Sequence, residues 1–238
     1  MIISKNNPQF KKLKKLSFKK YRDLYQEFLV FGNHLVEEAL KAKIVLELYT
    51  TSLNGQGTLI SENLMKELNN NKIIYKICAV CKKNNKSLES DKILVLDDIQ
   101  DPGNAGTLLR SACAFGFKHV LSSNKTVDFY NEKTIQSSQG AIFNLFLEKG
   151  EILDFLTYYK NNNYLIFSTS VNKKNINLKE ISTLDKKIKK ILILGNEGSG
   201  ISDSVQQKSD YFISIDTSDC VESLNVGVAG SIIMHLLK

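Results

Sequence analysis

A glycine-rich stretch with one carboxylate follows a strongly apolar segment of the chain. The sequence ILILGNEGSGIS occupies residues 191–202, and Glu197 lies between its glycines. Glycine-rich loops after strands often bind phosphate through backbone N–H groups, usually together with a nearby cation. This stretch contains no Lys or Arg, and its spacing matches neither the pattern G-x-x-x-x-G-K-[ST] nor the pattern G-x-G-x-x-G. We therefore expect the loop to bind a neutral or cationic ligand.

A second stretch, DPGNAGTLLR at residues 101–110, combines a turn with two side chains that could act on a ligand. Pro102 and Gly103 predict the turn, and Asn104 is expected at or near the N-terminus of the next helix, where it could serve simply as a cap. The chain has 32 Lys and Arg residues, but only Arg22 and Arg110 are arginines. Since a guanidinium forms planar bidentate contacts that an ammonium cannot form, both arginines are candidate functional residues.

A third stretch, ESLNVGVAG at residues 222–230, opens the final predicted helix. Ser223 could cap this helix, and Asn225 lies in its first turn. The small residues around Gly227 and Gly230 predict very close packing against another helix or a loop. Together with STS at 168–170, these stretches follow predicted parallel strands, and ligands of open parallel sheets bind at the carboxyl ends of the strands. We expect one site there.

The basic residues are concentrated at the N-terminus. Residues 1–22 contain eight Lys and Arg residues and no Asp or Glu, whereas the net charge of the whole chain is +7. This distribution favours a polyanionic partner such as RNA, DNA or a membrane surface. The alternative is a solvated helix face in a lysine-rich protein, because Asn- and Lys-rich tracts also occur at 69–72 and 172–177.

The remaining composition is typical of a soluble globular protein, with 42% hydrophobic and 24% charged residues. No apolar segment approaches the roughly 20 residues of a membrane span, and the N-terminus lacks the apolar core of a signal peptide, so a cytoplasmic location is predicted. Cys78 and Cys81 have metal-like spacing, but the scattered histidines do not complete a four-ligand site. We interpret both cysteines as apolar strand positions and expect no metal.

Apolar periodicity predicts a small N-terminal module and a larger α/β domain. The module is expected to contain helices at 10–28, 35–42 and 61–69 and strands at 44–50 and 73–80. Strands are then predicted at 92–99, 119–123, 164–170, 190–195 and 211–216, with helices between them and a closing helix at 223–237. This alternation favours a parallel sheet covered on both faces. The polar segment 82–91 is the predicted linker, which gives domains 1–88 and 89–238.

Three of these stretches together resemble the motifs of the SpoU (TrmH-type) RNA 2′-O-ribose methyltransferases of the SPOUT superfamily. They occur in the family's order, each just after a predicted strand. The matching patterns are Asn104-x-Gly106-x-x-x-Arg110, Gly195-Asn196-Glu197-Gly198-x-Gly200-Ile201 and Ser223-Leu224-Asn225-Val226-x-Val228-Ala229. The N-terminal half is similar to that family's L30e-like substrate-binding module through Lys19-x-x-Arg22 and residues 27–34 and 36–39.

The resemblance implies an α/β fold with a C-terminal trefoil-knotted parallel-sheet methyltransferase domain and a smaller L30e-like N-terminal α/β domain. It also implies a homodimer that binds S-adenosylmethionine (AdoMet). By motif position, the implied catalytic set is Asn104, Arg110, Glu197, Ser223 and Asn225. The implied cofactor contacts are Thr169, Gly195, Asn196, Gly198, Ile215, Ser223 and Leu224. The basic N-terminal side chains expected to bind the RNA backbone are Lys11, Lys12, Lys15, Lys19 and Arg22.

The resemblance leaves the substrate and one chemical role open. Residues 215–217 read Ile-Asp-Thr where the family usually has Ile-Pro-Met. Without the proline, the backbone that would bind the adenine is less restricted in conformation before the cofactor binds. Arg110 could be a base or a clamp on phosphate and developing oxyanion charge, and we favour the clamp because a guanidinium keeps its proton to about pH 12.

The expected activity is 2′-O-methylation of large-subunit (23S) rRNA, with tRNA as the alternative substrate. The rival classes are a non-catalytic RNA-binding or ribosome-assembly protein and a small-molecule enzyme with a nucleotide cofactor.

Overall fold

The structure is a computed structural model that describes residues 1–69, 75–84, 89–170, 176, 180, 187–221 and 223–238. Its helices are α1 Pro8–Lys15, α2 Lys19–Tyr25, α3 Asn33–Lys41, α4 Glu62–Leu68, α5 Pro102–Phe115, α6 Glu132–Ser138, α7 Ile152–Asn161, α8 Asp203–Gln206 and α9 Val226–Leu236. Its strands are β1 Glu27–Phe31, β2 Val45–Thr50, β3 Thr58–Leu59, β4 Ile77–Lys82, β5 Lys92–Asp97, β6 His119–Ser122, β7 Phe146–Lys149, β8 Leu165–Thr169, β9 Lys190–Gly195 and β10 Tyr211–Ile213.

The chain divides into two compact units. One unit contains residues Met1–Asn84 and Asp128–Phe143, and the other contains Asn85–Val127 and Asn144–Lys238. The first division falls inside the predicted linker, of which residues 85–88 lie outside the described residues. The segment Asp128–Phe143 differs from the sequence prediction, since it comes from the predicted second domain but packs in the N-terminal unit, where Phe28 contacts Tyr130 and Phe143.

The N-terminal unit is built around a four-stranded sheet in the order β1-β4-β2-β3. The predicted helix at 10–28 is wrong in its extent, because α1 ends at Lys15, α2 ends at Tyr25 and β1 begins at Glu27. Gln26 adopts a left-handed conformation with φ of 55°, which ends α2. The apolar run at 28–31 is then buried, and such a run is satisfied by a strand covered on both faces rather than by one helical stripe.

The two cysteines of the N-terminal unit lie in β4, as predicted, and both are buried. Burial raises the pKa of Cys81 to about 12 and the pKa of Cys78 well above its ordinary value. Both thiols thus have the environment of apolar strand positions, where cysteine packs as a small hydrophobic residue. The described residues contain no cluster of three or more His, Cys, Asp or Glu side chains that could hold a metal ion.

The C-terminal unit contains a six-stranded parallel sheet in the order β10-β8-β9-β5-β6-β7. The four apolar residues 93–96 of the central strand β5 are fully buried, which confirms the predicted parallel sheet with two covered faces. The trefoil knot stays a prediction. Among the described residues, no helix is both long and apolar enough to cross a membrane.

The final helix packs very closely on α5, as its small residues predict. A Cβ added at Gly230 would lie 2.5 Å from side-chain carbons of Leu108 and Leu194, and one added at Gly227 would lie 3.3 Å from Thr107. Ser231 and Ser111 share a hydrogen bond of 2.7 Å between their hydroxyls. This packing brings the first turns of α5 and α9 together.

Candidate active site

Four loops leave the carboxyl edge of neighbouring strands in the C-terminal unit. In the sheet, Asp97 of β5 pairs with Gly195 of β9, and Thr169 of β8 pairs with Ile213 of β10. Since β8 also pairs with β9, these four strand ends lie side by side, and neighbouring strands are about 4.8 Å apart. The loops that contain the predicted site residues therefore begin within a short distance of one another, as the sequence predicts.

Glu197 links the glycine-rich loop to the start of α5. One carboxylate oxygen accepts hydrogen bonds from Asn104 Nδ2 at 2.9 Å and from the backbone N–H of Asp101 at 3.3 Å. The other oxygen accepts a hydrogen bond from the backbone N–H of Gln100 at 3.3 Å. Glu197 thus holds the position of Asn104.

Asn225 extends the network from the opposite side. Its Nδ2 donates to Asn104 Oδ1 at 2.9 Å, and its own Oδ1 accepts from the backbone N–H groups of Gly227 at 2.9 Å and Val228 at 3.3 Å. Asn104 is therefore held between a carboxylate and an amide that come from loops far apart in the sequence. We call Asn104, Glu197 and Asn225 the polar triad.

The helix caps differ from the sequence prediction. Asp101, rather than Asn104, caps α5, because its Oδ1 accepts from the backbone N–H of Asn104 at 2.8 Å. Asn225, rather than Ser223, caps α9, and Ser223 is exposed. Pro102 at the first helical position is the sequence signal for the cap at Asp101, since Pro favours that position. The reassignment frees the Asn104 side chain from a capping role.

The triad keeps Glu197 ionised. Partial burial raises the pKa of Glu197, but hydrogen bonds from Asn104 and from the Gln100 and Asp101 backbone outweigh that effect, so the pKa lies below its ordinary value. A carboxylate with a lowered pKa is a weak base, and its lone pairs are already engaged. Glu197 is therefore suited to positioning Asn104 and to favouring a cation nearby, not to removing a proton.

We expect Glu197→Gln to lower the free energy of unfolding by about 1 kcal/mol near pH 7, because its amide N–H₂ would replace one carboxylate oxygen and face the backbone N–H of either Gln100 or Asp101. Folding lowers the pKa of Glu197, so the ionised carboxylate stabilises the protein above the unfolded-state pKa. That stabilisation is lost as the pH falls through the folded-state pKa. The difference between variant and parent in urea unfolding should therefore shrink toward zero once the pH is below the folded-state pKa of Glu197.

The matched control for this prediction is Glu151→Gln. Glu151 accepts one side-chain hydrogen bond, from Asn124 at 2.7 Å, in the same unit. We expect a smaller effect at neutral pH, since a glutamine oxygen can replace that single acceptor. A Glu197→Gln defect that stays constant between neutral and acidic pH would show that the ionised carboxylate does not stabilise the triad.

The glycine-rich loop uses its own N–H groups internally. Asn196 Oδ1 accepts from the backbone N–H of Gly198 at 2.9 Å and of Ser199 at 3.0 Å, while Asn196 Nδ2 donates to the Asp98 carbonyl at 2.9 Å. The backbones of Asn196 and Gly200 are joined by two hydrogen bonds of 3.0 Å. Because these donors face inward, the loop does not present them to a phosphate, which agrees with the sequence-based exclusion.

The other predicted site residues lie around the triad's loops with different exposure. Arg110 is exposed on α5, and no hydrogen bond or ion pair joins it to another described residue. Thr169 donates from Oγ1 to the Ile193 carbonyl at 3.4 Å at the end of β8. Ile215 is half-buried in the loop after β10, and Leu224 is 36% exposed just before α9. No described histidine lies in these four loops.

The predicted RNA-binding side chains of the N-terminal unit fall into two groups. Lys11 and Lys15 are exposed, and neither forms an ion pair with a described residue. Lys12 pairs with Glu27 at 2.8 Å, and Lys19 pairs with Asp23 at 2.8 Å. Arg22 differs from the expectation, because it is only 6% exposed and its guanidinium contacts Asp128. We therefore do not retain Arg22 as a direct contact to RNA.

Comparison with known proteins identifies the family of this chain. Residues 91–235 match the model of the SpoU rRNA Methylase family, and residues 7–88 match the MRM3-like substrate binding domain. The 23S rRNA (guanosine(2553)-2′-O)-methyltransferase RlmP of Bacillus subtilis is 32% identical, with 100% of this chain and 98% of the relative covered.

Solved structures show the same fold. A TrmH-family protein from Porphyromonas gingivalis is 28% identical and has a TM-score of 0.86, with 100% of this chain and 99% of that chain covered. An AdoMet-bound rRNA methyltransferase from Sinorhizobium meliloti, at 21% identity, has a TM-score of 0.85 and covers 99% of this chain and 96% of its own. The triad loops, the parallel sheet and these matches together establish that the chain belongs to the SpoU rRNA methylase family.

Proposed function

We propose that this protein transfers a methyl group from AdoMet to the ribose 2′-oxygen of a nucleotide in large-subunit rRNA. The observation that carries the proposal is the polar triad at the carboxyl edge of the parallel sheet, with an exposed arginine on the same helix as Asn104, in a chain of the SpoU family. The relative from Bacillus subtilis, whose name specifies 23S rRNA, supports the choice of large-subunit rRNA over tRNA.

The loops around the triad fit a cationic methyl donor with an apolar face. The stretches 195–202 and 214–225 contain acidic side chains and no Lys or Arg, which suits a sulfonium and disfavours a phosphate. The half-buried Ile215 and the partly exposed Leu224 offer apolar surface to an adenine. Thr169, Gly195, Asn196, Gly198, Ser223 and these two residues form the proposed cofactor contacts. AdoMet, when bound, supplies an electrophilic methyl group on sulfur.

Arg110 acts on the nucleotide in this proposal. Its guanidinium holds a proton to about pH 12, so it binds a phosphate and stabilises the charge that develops on the 2′-oxygen rather than accepting the proton. Exposure on α5 leaves all of its donors available to the substrate within the described structure. The proposed catalytic set is Asn104, Arg110, Glu197, Ser223 and Asn225.

Asn104 is prepared to orient the ribose. An amide group has two N–H donors and an oxygen with two lone pairs, and the triad uses one donor and one acceptor site. The remaining N–H and lone pair are fixed in direction by Glu197 and Asn225. Such preorganised groups cost little reorganisation when the substrate binds, which favours the transition state.

A homodimer is also proposed, formed through α9 and the residues before it. Leu224, Val228 and Ile232 recur at four-residue spacing and are 36%, 48% and 37% exposed, so exposed apolar side chains lie on α9 and just before it. Light scattering should give twice the mass of the 26.8 kDa chain, and a monomer would contradict the proposal. A knotted C-terminal domain and a cytoplasmic location complete the proposed assignment.

The function is tested by incubating the full chain with isotopically labelled AdoMet and total rRNA. We expect one nucleotide of the large-subunit rRNA to acquire the label in an alkali-resistant linkage, since a 2′-O-methyl group blocks cleavage at that position. Total tRNA serves as the parallel substrate. Label in tRNA alone would overturn the choice of rRNA, and label in neither rRNA nor tRNA would overturn methyl transfer.

A further inference from the structure

The turn between α1 and α2 exposes an aromatic ring that the fold does not use. Phe18 is 60% exposed and occupies the N-cap position of α2, where its side chain makes no capping hydrogen bond. Ser, Thr, Asn, Asp and Gly are preferred at that position because they satisfy backbone donors or the backbone conformation. A phenylalanine therefore contributes little to the helix, and its exposed ring is available to a ligand.

Cations surround this ring. Lys15, Lys19 and Lys20 are exposed next to Phe18 in sequence, and Lys15 Nζ lies 5.4 Å from the centre of the Tyr21 ring. The nearby acidic side chain of Asp23 is already paired, with Lys19 at 2.8 Å and with Lys83 at 2.6 Å. The surface made of Lys15, Phe18, Lys19, Lys20 and Tyr21, which we call the turn surface, is therefore positive with an aromatic centre.

Arg22 fixes the shape of the turn surface from beneath. Its Nη1 donates to the carbonyl oxygens of Leu16 and Ser17, both at 2.8 Å. Its Nε and Nη2 donate to one oxygen of Asp128, at 3.1 Å and 2.5 Å. Because the two carbonyls immediately precede Phe18, a single buried guanidinium holds the backbone that presents the ring.

We propose that the turn surface binds an unpaired nucleotide of RNA, with Phe18 stacking on the base, Lys15 and Lys20 contacting the backbone, and Arg22 acting as a positioning residue. Lysines attract phosphates of any sequence, whereas an exposed ring adds stacking that requires an unpaired base. A ring held in place by Arg22 loses less freedom on binding, which favours affinity. This inference rests on the proposed RNA substrate but concerns recognition rather than methyl transfer.

The chain contains no tryptophan, so Phe18→Trp places a single fluorophore at the proposed site. Stacking on a base quenches indole emission. We expect single-stranded oligo(A) RNA to quench the emission of full-length Phe18→Trp, and an RNA duplex of equal length to quench it much less. The matched control is Leu53→Trp, at an apolar position of the same unit that is 87% exposed, where we expect little quenching.

Three further variants separate the contributions of stacking, charge and positioning. Phe18→Ala should weaken oligo(A) binding about tenfold with an unchanged salt dependence, whereas Lys15→Gln with Lys20→Gln should reduce the salt dependence. The double variant Phe18→Trp with Arg22→Lys keeps the positive charge, but a lysine ammonium cannot contact the two carbonyls and Asp128 together. We therefore expect oligo(A) to quench its emission less than that of Phe18→Trp alone. Thermal unfolding serves to show that the double variant is folded. Unchanged quenching in that folded double variant would refute the positioning role of Arg22.

The stacking inference is overturned if Phe18→Ala binds oligo(A) like the parent chain, or if Phe18→Trp emission does not change while fluorescence anisotropy shows the RNA bound. Parent protein that binds no oligo(A), or that prefers the duplex, also overturns it. Quenching without methyl transfer to any RNA would overturn the proposed function and leave the nucleotide site standing. Methyl transfer by the parent chain, together with unchanged oligo(A) binding by Phe18→Ala, would overturn the nucleotide site and leave the proposed function standing.

Discussion

Arg110→Ala is expected to lower the rate of methyl transfer to rRNA by about 10²- to 10³-fold, with AdoMet binding nearly intact. The magnitude is that of removing one group which stabilises negative charge developing on the reacting oxygen. Arg110 is exposed on α5 and forms no hydrogen bond or ion pair with a described residue, so its loss should not disturb the triad. Single-turnover rates and equilibrium binding of AdoMet measure the two effects separately.

Two substitutions sharpen this test. Arg110→Lys keeps a positive charge but loses the planar fork, so an intermediate rate is expected if the fork binds phosphate and ribose oxygen together. Lys118→Ala, which removes an exposed cation before the amino end of β6, at the opposite edge of the sheet, controls for general electrostatic attraction of RNA. A normal rate for Arg110→Ala would show that the assigned role is wrong.

The alternation of strands and helices was predictable because buried parallel strands have a distinctive composition. The strand at 190–195 matches its predicted bounds, and the apolar run from 92 onward lies at the centre of the sheet. The prediction of one helix at 10–28 was wrong, because the spacing of apolar residues alone cannot distinguish the apolar face of a helix from apolar residues that continue into a buried strand. The second helix ends at Gln26, which adopts a left-handed conformation, and a glutamine in the sequence only weakly indicates that conformation.

The site shows the same division between local and long-range information. Motif spacing placed Asn104, Glu197 and Asn225 at one edge of the sheet, yet the bonds that join them into the triad link residues 93 and 121 positions apart in the chain. Arg22 illustrates the limit most clearly. Its basic neighbourhood predicted a contact to RNA, but its partner Asp128 lies 106 residues later in the chain. Only the fold could reveal that pair.

Gly195→Ala is expected to destabilise the protein by about 3 kcal/mol or more and to abolish AdoMet binding. A Cβ at Gly195 would lie 2.5 Å from the Gly200 carbonyl oxygen and closer still to the Gly200 carbonyl carbon and the Ile201 nitrogen. These atoms belong to the backbone and cannot rotate away as a side chain can. Relief would require the loop to move off the end of β9, which would also shift Glu197 away from Asn104. Urea unfolding and AdoMet titration measure the two losses.

Gly198→Ala in the same loop is the matched control for folding. A Cβ there would approach only Asn196 Oδ1, at 3.6 Å, an ordinary contact distance, so the free energy of unfolding should change little. The two variants add the same methyl group three residues apart, and only the first meets backbone. Equal stability of both variants would mean that the loop does not need the close approach of Gly195 to Gly200. In that case the position of Glu197 would depend on its hydrogen bonds alone, and the Glu197→Gln variant would have to show the larger loss of AdoMet binding.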